Sequence, residues 1–164
     1  MSRVGIGLKL LVIMALYMFI SWSLTRFEPQ IFTFPFVPPP ILRVSAIIMI
    51  IFGGVVQMAA AQVPARAFKE GRLVNTGIYS YIRHPMYAGW ILLFVPGIAL
   101  FFRSWLMVTT TLVGYIGFKH LIKAEDEYLT KKFGEAYMEY RSKVDELFPF
   151  NRLKECIAKL SFKK

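Results

Sequence analysis

The chain has 164 residues, 56% of them hydrophobic and only 18% charged, with a formal charge of +10 and a mean hydropathy of +0.50. That balance lies beyond ordinary soluble usage and puts the chain in the membrane class. Its one cysteine, Cys156, excludes an intrachain disulfide and a cysteine-built zinc cluster, and the basic charge comes without the basic-aromatic motif that would make nucleic acid a partner.

Four apolar runs follow in chain order. Leu8 to Leu24 is broken only by Lys9, Ser21 and Ser23. It has the basic start of a secretory signal, but it is long for one, and Ser21-Trp22-Ser23 makes a poor cleavage site, so a retained helix is expected. Phe34 to Pro40, FPFVPPP, reads as a stiff extended connector rather than a helix. Ile41 to Val63 is the second run, Met86 to Phe102 the third, and Trp105 to Phe118 the fourth, after Arg103-Ser104. Two runs match the ~20 residues that cross a hydrocarbon core; the last two are short and, with Pro96 and Gly97 inside the third, form tilted spans or a helical hairpin. The fold class expected is therefore all-α, with about four transmembrane helices and a cytoplasmic helical tail.

Charge bias sets the orientation. The Phe27–Pro40 connection has no Lys or Arg, whereas Arg66, Lys69, Arg72 and Arg83 precede the third run and a lysine-rich tail follows the fourth. The positive-inside rule places both termini and the Pro64–Arg83 loop in the cytoplasm.

Two constellations on that side carry chemistry. In GIYSYIRHPMYAG, Gly77 to Gly89, Gly77 suits a positive φ or a closely approaching ligand. Tyr79 and Tyr81 suit a membrane–water boundary. Pro85 drives His84 out of the α region and starts a helix, whose free N–H groups beside Arg83 and His84 attract anions. A cationic stop below a membrane helix is the competing structural reading. The second constellation is Glu125-Asp126-Glu127, on a helix that continues from Lys119 to Phe133. Glu127 has Lys131 four residues on as an ion-pair partner; Glu125 and Asp126 have Leu129 and Thr130 there, and one or both turn inward toward Arg83-His84. Gly134 then breaks the helix, and Glu135 to Lys143 restarts it with Ala136, Tyr137 and Tyr140 on one apolar face. His84 and His120 lie too far apart in sequence to suggest a metal site.

The turn, EDEYL at Glu125–Leu129, FGEAYMEYRSKV at Phe133–Val144 and the closing FPF together resemble the isoprenylcysteine carboxyl methyltransferases, part of a wider group of integral-membrane methyltransferases that includes phospholipid N-methylating enzymes. The resemblance covers about Leu73 to Phe150. Membrane sterol reductases carry a similar Arg-His-Pro turn, and this chain departs from the family's usual glutamate pair with Glu125-Asp126. The resemblance implies S-adenosylmethionine-dependent methyl transfer at the cytoplasmic membrane face. It implies catalytic roles for Arg83, Glu125 and Arg141, and cofactor contacts from Leu73, Val74, Gly77, Tyr79, His84, Pro85, Tyr87, Glu125 and Asp126. The single membrane domain, 1–164, reads as a helical pair (1–63), a methyltransferase-like cofactor-binding region (64–150) and a basic tail (151–164); because both charge clusters lie on one membrane side, the cytoplasmic segment from Lys119 onward is expected to fold back and close the site against the Leu73–Arg83 loop. The implied partners are membrane lipids and a lipidic or prenylated substrate entering from the bilayer. The acceptor is first a prenylated-cysteine carboxylate and second a phospholipid amine. A nicotinamide-dependent reductase would need more basic, glycine-rich loop than is present. A lipid-binding adaptor accounts for the charge but not for the turn or the acids. A transporter lacks ionisable residues deep in its spans.

Overall fold

A computed structural model describes residues 3–62, 67 and 71–161; Arg66, Lys69, Lys163 and Lys164 lie outside the described residues. The order is α1 (Arg3–Phe27), α2 (Pro29–Phe32), α3 (Pro39–Gln62), a 3-10 turn (Gly77–Ser80), α4 (Pro85–Phe101), α5 (Trp105–Val108), α6 (Thr110–Phe133), α7 (Glu135–Lys143) and α8 (Phe150–Ser161). Among the described residues, β structure is confined to two isolated bridges, Thr33 with Ser104 and Ile82 with Asp145. The chain forms two compact units, Met1–Gly54 with Gly89–Asp126, and Val55–Ala88 with Glu127–Lys164.

In the first unit, α1 and the segment from Ser104 to Gly117 run antiparallel. Thr25 meets Ser104 through a 2.7 Å hydroxyl bond, and Tyr17 meets Thr109 at 2.9 Å. A Cβ on Gly114 would lie 2.8 Å from Met14 Cε, and one on Gly117 2.7 Å from Leu10 Cδ1. Leu10, Met14, Ser21 and Thr25 are accordingly buried, while Leu8, Val12, Leu16, Phe19, Ile20 and Leu24 are exposed. An apolar outward face of that extent is stable against lipid, not water.

The same logic pairs α3 with α4. A Cβ on Gly97 would sit 2.9 Å from Ile50 Cγ1 and 3.3 Å from the Ala46 carbonyl, and one on Gly53 3.1 Å from the Phe94 ring. Small residues let the backbones approach where hydrophobic burial supplies no drive between helices. Among the described residues, two helices are long and apolar enough to cross a membrane, Gly7–Phe27 and Pro39–Gln62, and the chain is an integral membrane protein. Inside α4, Gly89–Phe94 is π-helical. Pro96 explains this: it has no N–H to give the Leu92 carbonyl, so the ladder shifts by one residue.

The proline-rich connector is non-helical from Phe34 to Pro38, as expected, and departs from expectation only at its end. Pro39 and Pro40 form the first turn of α3 instead of extended chain, and the short helix Pro29–Phe32 precedes the connector. Proline is tolerated there because first-turn N–H groups lack intrahelical partners. Aromatic rings gather at this end: Phe32 packs 5.7 Å from Trp105, Trp22 lies 6.5 Å from Phe102, and the Trp105 indole donates to the Ile31 carbonyl at 2.8 Å. Ser104 caps α5 by accepting from Met107 N at 3.1 Å.

Candidate active site

In the second unit, the Arg-His-Pro turn is held by the segment that follows α7. Arg83 N donates to the Asp145 carbonyl at 2.7 Å and His84 N to the Glu146 carbonyl at 3.0 Å, a two-residue parallel pairing with its bridge at Ile82. The Arg83 side chain adds a third bond, Nε to the Val144 carbonyl at 3.0 Å. Its Nη2 lies 3.4 Å from Glu146 Oε1, a loose ion pair beyond ordinary N–H···O distance. Arg83, His84 and Pro85 are all buried. A buried guanidinium with this many backbone obligations is a positioned group rather than a solvated topological charge.

The turn before it is tied on both sides. Gly77 has φ +60°, a conformation that L side chains resist, and it opens the 3-10 turn. From that turn the Tyr79 hydroxyl donates to the Ala60 carbonyl near the end of α3, at 3.2 Å. The Tyr140 hydroxyl of α7 donates to the Tyr79 carbonyl at 2.6 Å. Burial pushes the Tyr140 phenol above its ordinary range; the Arg83 charge opposes this, and Tyr137 and Tyr79 add to it. Gln57 of α3 donates to the Met86 carbonyl at 2.8 Å, fixing the first turn of α4. The Tyr87 ring meets the His84 ring edge-on, with centroids 6.0 Å apart.

The second unit thus brings together Gly77, Tyr79, Arg83, His84, Pro85 and Tyr87. It also holds Leu73 and Val74, half-buried in irregular chain just before Gly77, and Arg141, exposed on α7. Glu125 and Asp126 belong to the first unit. On α6, Thr110, Gly114, Phe118, Ile122, Asp126 and Leu129 form one buried stripe at spacings of four and then three. Asp126 therefore sits on the core side of its helix; Glu125 is half-buried and Glu127 exposed. On α7, Tyr137 is buried and Tyr140 half-buried, but Ala136 is exposed and leaves the expected apolar face.

Glu146, Asp145 and Gln57 were not legible as site residues. Gln57 read as an interruption in an apolar run. Asp145-Glu146 sat in the unassigned stretch between the tyrosine-rich helix and the final FPF. The available signal was a pair of acids beside that motif in a strongly basic chain. Asp145 also acts through its side chain, whose carboxylate accepts from Asn151 N at 2.8 Å and Asn151 Nδ2 at 3.0 Å, at the start of α8.

The donor set suits the cofactor inferred from the sequence. A guanidinium and a helix start offer contacts for a carboxylate, and half-buried Leu73 and Val74 offer an apolar wall for a base. Residues 42–136 match the family model described as phospholipid methyltransferase. A protein-S-isoprenylcysteine O-methyltransferase of Xenopus laevis is 32% identical over 118 residues, 66% of this chain and 41% of that one. One from Dictyostelium discoideum is 30% identical over 132 residues, 75% of this chain and 53% of that one. The chain thus spans about half the length of these curated relatives. A solved structure of a eukaryotic intramembrane Ras methyltransferase, isoprenylcysteine carboxyl methyltransferase, is similar with a TM-score of 0.62 and 23% identity, over 92% of this chain and 54% of that one. That likeness is one of fold.

Proposed function

Because this chain belongs to the phospholipid methyltransferase family, we propose that it is a membrane-embedded enzyme that methylates a lipidic acceptor with S-adenosylmethionine, the first-choice acceptor being the carboxylate of a prenylated cysteine or an analogue. The observation that carries this reading is the pairing of the buried Arg83-His84 turn with Val144–Glu146, a structure more elaborate than a charged membrane stop requires. The relatives' names supply the acceptor class.

When bound, the donor supplies an already activated methyl, so the protein's share is alignment and exclusion of water. Arg83 would hold the donor carboxylate with its guanidinium, whose Nε is bonded to the Val144 carbonyl. The N–H groups at the start of α4 assist it. Leu73, Val74 and Gly77 provide the apolar wall and close backbone approach, and Tyr79, His84, Pro85 and Tyr87 shape that wall. By their place in the motif, Glu125 and Asp126 would supply the negative charge for the donor ammonium; Asp126 is buried and Glu125 half-buried on α6. Arg141 orients the acceptor carboxylate, which is ionised at neutral pH and needs no base. Residues 64–150 are the catalytic region of this scheme. α1, α3, α4 and the Trp105–Phe118 run (α5 with the apolar start of α6) are its four spans in this scheme, with both termini and the site on the cytoplasmic face.

Detergent-purified protein should bind radiolabelled S-adenosylmethionine saturably and transfer label to a prenylated cysteine analogue. Glu125→Gln should keep the fold and lower turnover. Absence of saturable binding refutes the enzyme. Binding with transfer only to ethanolamine lipids keeps the enzyme and replaces the acceptor with a phospholipid amine, the activity that the matching family model is named for.

A further inference from the structure

α8 takes no part in the proposed reaction, yet it is far more one-sided than α1, α3, α6 or α7. Phe150, Leu153 and Ile157 recur at helical spacing on one stripe, and all three are exposed; Ile157 keeps 64% of its surface and Phe148, just before the helix, 43%. By register Arg152 and Lys154 fall on opposite margins of that stripe, and both are exposed. An apolar stripe bordered by cations is the pattern of a helix lying in a membrane surface, where long basic side chains reach the headgroups while apolar ones enter the acyl boundary.

The position of the helix points the same way. Its first turn is capped by the Asp145 carboxylate, and the Arg152 guanidinium lies 5.2 Å from the centroid of the Tyr81 ring. Asp145 pairs with Arg83, and the turn leading to Arg83 is bonded through Tyr79 to Ala60 in the last turn of α3, a membrane-length apolar helix. A short chain of contacts therefore anchors the start of α8 to the end of a span, at headgroup level.

We propose that α8 is an interfacial helix that docks on anionic lipid, with Phe150, Leu153 and Ile157 inserted at the acyl–headgroup boundary and Arg152 and Lys154 on the headgroups. The inference is independent of the methyl acceptor and requires no catalysis. To test it, single cysteines replace Asn151, Leu153, Lys154 and Ile157 in a Cys156→Ser background, and the full chain is spin-labelled and reconstituted in phosphatidylcholine vesicles with or without phosphatidylglycerol. With phosphatidylglycerol, labels at 153 and 157 should collide with oxygen and be shielded from a water-soluble nickel chelate, and the label at 151 should do the reverse. A Lys154→Gln change, read from the label at 153, should lower the ratio of docked to undocked helix roughly fivefold. Nickel access at all four sites refutes the proposal, as does shielding of 153 and 157 from both reagents, which means a protein cover. Equal docking without phosphatidylglycerol overturns the anionic-lipid assignment. Should the cysteine variants fail to fold, hydrogen exchange on the unaltered chain decides: α8 amides must exchange more slowly in phosphatidylglycerol-containing vesicles than in phosphatidylcholine alone, and equal rates refute the proposal.

Discussion

Replacing Arg83 with lysine separates a clamped guanidinium from a generic cation. Lysine keeps the charge and can reach the Glu146 carboxylate, 3.4 Å from Nη2 in the parent chain. It cannot do so and also supply the Nε bond to the Val144 carbonyl at 3.0 Å, because a single ammonium lacks the rigid fork. The two main-chain bonds to Asp145 and Glu146 survive, so the cost is one hydrogen bond from a charged, buried group, about 1.5–3 kcal/mol. For a chain of this size each kcal/mol lowers the midpoint by about 2–4 °C, giving a drop of roughly 3–12 °C. Arg83→Ala should fall further, since it also leaves the Glu146 carboxylate without its cation. If Arg83 also holds the donor carboxylate, Arg83→Ala should weaken S-adenosylmethionine binding roughly ten- to a hundredfold, with only partial rescue by lysine. Apparent midpoints at one scan rate and donor titrations in one detergent measure both effects. Arg83→Lys with wild-type midpoint and affinity would refute the clamp and the binding role together.

Three further outcomes are expected. The raised Tyr140 phenol means that the folded chain holds its proton more tightly than the unfolded one; its contribution is intact below the ordinary phenol range near pH 10 and lost as pH rises above it, so Tyr140→Phe should flatten the midpoint-versus-pH curve in that window. Gly134 has φ +56° and ψ −131°, with open space where a Cβ would be, so Gly134→Ala should cost about 1–3 kcal/mol through backbone strain alone and lower the midpoint without loss of helix by circular dichroism. Gly97→Ala should destabilise more than Gly117→Ala in the same thermal assay, because the added methyl meets the Ala46 backbone and the Ile50 branch in the first case and the movable tip of Leu10 in the second.

What the sequence revealed depended on how local the cause was. The apolar runs locate α1 and α3 closely, Pro85 starts α4 where its fixed φ belongs, and Gly134 breaks the chain between α6 and α7. The same fixed φ misled at Pro39 and Pro40, since an extended connector and a first helical turn both accept proline there. Pro96 signalled an irregularity, but only the shifted ladder revealed a π turn. The burial of Asp126 was expected from its lack of a cation four residues on, and its spacing of eight from buried Phe118 agrees. The clamp on Arg83 was not available: two paired residues have no period, and their partners are far along the chain.

That separation has a consequence for biosynthesis. Arg83 and Val144 are 61 residues apart, and at about 5–20 residues per second the later segment is made roughly 3–12 s after the earlier one. Helices form in about a microsecond, so α1 and α3 exist before the Arg-His-Pro turn meets its partner. The newly made Arg-His-Pro turn is therefore first an unclamped loop, and only the synthesis of Val144–Glu146 supplies the carbonyls that fix it.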